Sequence, residues 1–115
     1  MTTCETITLC PDLEVESEPV LSEPIEVGPF REGQLFVKLR DVDPNAGVDI
    51  SVGISPTGYE NWERQWVDHD TVTGVDEERM YSVPLTNFGN WLRLKLTPRG
   101  ESDETAVVQA WFVGK

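Results

Sequence analysis

Residues 90–115, NWLRLKLTPRGESDETAVVQAWFVGK, constrain the fold more than any other part of the chain. Leu92, Leu94 and Leu96 alternate with Trp91, Arg93 and Lys95. Successive side chains of a strand leave on opposite faces. The pattern therefore predicts a strand with one face in a core and one toward water. The turn-forming run 98–103 follows, and a second strand is expected over 105–113. Together they read as an antiparallel hairpin. No catalytic appendage is expected after it.

The same signal recurs upstream. Over 34–40, Leu35, Val37 and Leu39 alternate with Phe36, Lys38 and Arg40; over 48–54, Val48, Ile50, Val52 and Ile54 alternate with Asp49, Ser51 and Gly53. DVDPNAG (41–47) and SPTG (55–58) are turns by composition. Further strands are expected over 59–67, with Trp62 and Trp66, and over 79–85, separated by a polar loop at 68–78. No ten-residue segment has a helical period. Seven or so short strands spaced by turns predict an all-β fold, a single antiparallel β-sandwich with an extended N-terminal arm.

The arm is residues 1–30 and the sandwich 31–115. Residues 1–30 hold four prolines, seven acids and no Lys or Arg. Proline fixes φ and removes a ladder donor, which excludes a helix or a continuous central strand. Leu13, Val15, Val20, Leu21, Ile25, Val27 and Phe30 recur through it. They imply an extended segment that docks on the body and joins a sheet edge near 24–27.

Acids outnumber bases 21 to 9, a formal charge of −12. Nucleic-acid binding needs clustered cations, so a nucleic-acid partner is not expected. Nor is a membrane, since no apolar run approaches the ~20 residues of a spanning helix. The N-terminus has neither the charged nor the apolar region of a signal peptide, which predicts synthesis in the cytoplasm. Cys4 and Cys10 are too few for a four-ligand zinc site within one chain. Either both stay free or they cross-link chains outside the cell.

Several stretches together resemble small β-sandwich structural proteins of tailed bacteriophages: Asp49 to Ile54, ISPTGYENW (54–62), Phe88-Gly89-Asn90 with WLRLKLT (91–97), and the ending AWFVGK (110–115). The resemblance implies a virion component, a capsid decoration (cement) protein on the outside of the head that clamps neighbouring capsomers. The implied partner is the major capsid protein. A closed homo-oligomer, a trimer before a dimer, would bridge several capsomers. The alternatives are a head–tail connector, tail or fibre module, or a carbohydrate-binding module.

Candidate chemistry is sparse. Asp41, Asp43 and Asn45 have the spacing of half a calcium loop, but Ala46 and Val52 stand where an EF-hand needs Gly and Glu. Asp68, His69 and Asp70 lack further ligands or a nucleophile at recognisable spacing. No enzymatic activity and no cofactor or metal is expected. Trp91, Arg93 and Lys95 share a strand face away from the leucines. With Cys4, Cys10, Leu13, Val15 and Ile25 of the arm they are the expected interface residues. Lys38, Arg40, Arg93 and Lys95 offer cations to the acidic arm of a neighbouring chain.

Overall fold

In a computed structural model of the chain, residues 4–16, 18–41, 47–58, 66–75, 80–99 and 105–115 are described. The strands are β1 (Glu5–Val15), β2 (Val20–Leu21), β3 (Ile25–Glu26), β4 (Glu32–Arg40), β5 (Gly47–Ser55), β6 (Val67–Val75), β7 (Met80–Thr86), β8 (Trp91–Arg99) and β9 (Ala106–Gly114). They form two antiparallel sheets packed as a sandwich. Sheet A has the order β1-β9-β4-β7; sheet B has β2-β8-β5-β6, with β3 also on β8. The slab measures 42 × 35 × 19 Å, the thickness of two layers ~10 Å apart with their side chains.

The pairing follows one rule. When β2 and β3 are counted as one interrupted strand, the first strand pairs with the last, the second with the second to last, and so inward to β5 with β6. The cross-pairs β4–β9 and β5–β8 complete each sheet. A long hairpin wound around a barrel axis in this way is the jelly roll.

This topology corrects the expected hairpin. β8 pairs in sheet B and β9 in sheet A, and Pro98 and Arg99, expected in the turn, still belong to β8; residues 100–104 lie outside the described residues. Alternation reports which face is buried, and says nothing of the neighbouring strand. Among the described strands, β5 and β6 are the only consecutive pair joined in a ladder. β6 also corrects the polar loop expected over 68–78. Its threonines and valines suit a strand, and β5 supplies the ladder. The strand expected over 59–67 falls largely outside the described residues, as does most of the 41–47 turn.

The acidic N-terminal segment pairs into both sheets. β1 runs eleven residues along β9 as an edge strand. Pro11 is tolerated because the register slips twice, at Thr8/Cys10 and Cys10/Leu13. Edge strands and bulges are where a missing N–H costs least. The first slip turns both Leu9 and Cys10 into the core. Further on, Ser22 stands in for a strand residue. Its N–H donates to the Leu94 carbonyl at 2.9 Å, and its hydroxyl accepts from the Leu94 N–H at 2.8 Å. β3 follows on β8, close to the edge strand expected at 24–27.

Between the sheets lie Leu35, Val37 and Leu39 of β4, Val48, Ile50 and Val52 of β5, Leu92, Leu94 and Leu96 of β8, and Val108, Ala110 and Phe112 of β9. Truncating Leu94, fully buried in β8, to Ala should cost ~2–5 kcal/mol, read from denaturant midpoints. A change near zero would remove it from the core.

Candidate functional site

The two outer faces of the sandwich differ. On sheet B the chain covers itself. The turn after β5 is held by Ser55, whose hydroxyl accepts from the N–H groups of Thr57 and Gly58 at 3.1 and 3.0 Å. Asn90 Nδ2 donates to the Pro56 carbonyl at 3.4 Å. Gly58 adopts φ +75°, and a Cβ there would lie 2.6 Å from the Trp91 ring. The turn thus lies against Trp91, which is half-buried rather than presented. Gly58→Ala should destabilise the fold by about 1 kcal/mol or more through strain and this clash. Raised Trp91 fluorescence exposure would accompany it.

Arg93 is 5% exposed. Its guanidinium carbon lies 5.0 Å from the centroid of the Trp66 ring, itself only 6% exposed. This cation–π stack closes the outer face over the middle of β8. Arg93, expected at an interface, is therefore an internal contact. Its alternation with the leucines placed it on the outer face correctly; the chain that returns over it was not legible. Lys95, the next outward residue, is half-buried beside β2.

The remaining expected interface residues separate likewise. Cys10 and Val15 are buried in the core, and Ile25 and Leu13 pack against it. Burial drew them in because β1 and β3 are strands of the body. Cys4 is exposed. Burial pushes the Cys10 thiol up to about 12 from an ordinary value near 9. A buried neutral thiol is a poor nucleophile. In native protein only Cys4 should react with a thiol reagent near pH 8, and both should react after denaturation. Rapid native modification of both would contradict the buried placement. The pH dependence has a definite sign. The unfolded thiol ionises near 9 and the folded one near 12, so this contribution to stability is intact below 9 and is lost as pH rises through that window.

Arg40, Lys115 and Arg99 pair with acids of the same chain. Arg40 Nη2 lies 3.1 Å from Asp12 of β1, and Lys115 Nζ lies 2.9 Å from Glu32, which raises the Lys115 pKa. Arg99 lies 3.7 Å from Asp49. Each pair is solvated and worth ~0–1 kcal/mol.

The outer face of sheet A is different. Register places Thr8, Trp111, Phe36 and Ser82 side by side in one cross-strand row, and Thr6, Val113, Gln34 and Pro84 in the next. Lys38 sits between Gln109 and Met80, and Arg40 beside Val107. Phe36, Val107, Trp111 and Val113 are all half-buried, and none of the four belongs to the interior cluster. Among the described residues no element crosses this face. The sequence signal for it was weak, because β9 is apolar in both phases. Phe36, in phase with Lys38 and Arg40, was the one residue that marked the face.

At one end of this face a groove of about 310 Å³ opens between Cys4, Glu32, Pro84, Thr86 and Lys115. It is at the small end for a ligand site. Among the described residues no group of three or more His, Cys, Asp or Glu is arranged to hold a metal ion. Asp68 and His69 lie on β6. The half calcium loop at Asp43 and Asn45 lies outside the described residues.

No protein-family model matches the chain, and no curated protein matches it.

Proposed function

We propose that this chain is a structural protein of a tailed-phage virion, a decoration protein that binds the outer surface of the head and stabilises the capsomer lattice. The observation that carries the reading is the jelly-roll strand order, an architecture used by viral capsid domains. A fold alone hosts several functions. The resemblance of residues 49–62, 88–97 and 110–115 to phage structural modules selects among them. Binding to the assembled lattice and not to free subunits stabilises the lattice by mass action, by about 2.7 kcal/mol per site at a hundredfold excess over Kd. The major capsid protein is the partner in this reading.

The test is co-sedimentation of the purified protein with heads lacking it, compared with unassembled capsid subunits. Binding to heads alone, with a higher head-disruption temperature, is expected; no binding to heads rejects the reading. Copy number on particles separates a decoration protein from a connector, tail or fibre module. Lectins also use the jelly roll, and Trp111 on the open face of sheet A could stack on a sugar ring. Binding on a glycan array would favour that second reading.

A further inference from the structure

We infer that the outer face of sheet A is where two copies of this chain pack face to face, about a twofold axis parallel to the strands and lying between β9 and β4. The strand order β1-β9-β4-β7 is reversed by that axis. β9 of one copy then lies over β4 of the other, and β1 over β7. Trp111 meets the partner's Phe36 and Phe36 the partner's Trp111, so both central aromatics are buried by one operation. An isologous contact of this kind closes on itself.

Charge complementarity selects a second copy as the occupant. On this face the β1 flank carries Asp12 and Glu14, and β4 carries Lys38 and Arg40, two strands away. The twofold brings Glu14 on the β1 flank of each copy toward Lys38 on β4 of the other, twice over, while Asp12 and Arg40 stay paired within each chain. The face is also close to electrically balanced in a molecule of net charge −12, because Arg40 already faces Asp12 and Lys115 faces Glu32. A dedicated cationic partner would instead be met by an acidic face. The available area agrees. Four strands ~4.8 Å apart and about 30 Å long present about 600 Å² per copy, hence about 1,200 Å² in all, the lower bound of stable specific interfaces. One face packed on the same face of a second copy is an isologous contact, which calls for a twofold in place of the trimer expected from sequence.

Sedimentation equilibrium of the purified protein across a wide dilution series tests this without any virus particle, so its outcome is separate from that of head binding. The mass should move from one chain of 12.9 kDa to two. Trp111→Thr should weaken dimerisation at least about tenfold, as expected for a central aromatic. Leu21→Thr, on the outer side of sheet B, should leave it unchanged. If Trp111→Thr loses its cooperative melt, Phe36→Thr gives the same readout from the facing strand. A single-chain mass at every concentration, a three-chain mass, or a dimer indifferent to both substitutions overturns the inference.

Discussion

Removal of residues 1–22 is expected to abolish folding. β1 covers one edge of sheet A along β9, from Glu5↔Gly114 to Val15↔Ala106. It brings Leu9, Cys10 and Val15 into the core, all at most 3% exposed. Burying each such side chain contributes ~1.5–3 kcal/mol, against a total stability of about 5–15 kcal/mol for a domain of this kind. The deletion also removes β2 and Ser22, and with them two hydrogen bonds to Leu94. It leaves β9 as a bare, apolar edge, which invites pairing between chains. The expected product is insoluble or has no cooperative thermal transition. A truncated protein that melts within a few degrees of the full chain would show that β1 is dispensable.

Phe112→Ala should be among the most damaging single substitutions, at ~3–5 kcal/mol. Phe112 is fully buried on β9. Its ring lies 5.6 Å from those of Phe30 and Phe88, tilted in one case and edge-on in the other. The ring lies over the cross-strand pair Gly33↔Gly114. A Cβ on Gly33 would collide with it, and one on Gly114 would lie 2.6 Å away. Two glycines facing each other thus make room for one aromatic, which restores the packing the glycines give up. Alanine would leave an aromatic-sized void flanked by two residues without side chains, so little can move in to fill it. Urea unfolding should show a large fall in midpoint at unchanged slope. A loss below about 1 kcal/mol would mean that Phe30 and Phe88 collapse into the space.

The class of the fold was legible because β4, β5 and β8 each turn aliphatic residues to one face and mainly polar or charged ones to the other. Leu35, Val37 and Leu39, Val48, Ile50 and Val52, and Leu92, Leu94 and Leu96 carried that pattern openly, and all nine are in the core. Strand positions followed to within a few residues wherever alternation was clean. It failed at β6, where polar threonines and aspartates masked a strand that gains its ladder from β5. It failed again at β1, where prolines and acids suggested an arm. There, bulges at the edge of a sheet accommodate what a central strand would reject.

Of the expected interface, the phase of Trp91, Arg93 and Lys95 was right; Arg93 is buried, and Trp91 and Lys95 are half-buried. Arg93 is covered because Trp66 returns over it, and Trp91 because Gly58 turns against it. The face left open, around Trp111 and Phe36, lies on a strand whose two phases are equally apolar, so sequence could not say which side was in. Alternation is a local property and depends only on where the pleat points each side chain; the sequence therefore determined which residues are strands and which face of most strands is buried. Which strand lies beside which, and whether β8 and β9 join one sheet or two, depends on backbone hydrogen bonds between residues far apart in the chain. Those bonds are made mostly by backbone atoms that all residues but proline share. Only the tertiary structure could decide the jelly-roll order, and with it the sheet face that no described element covers.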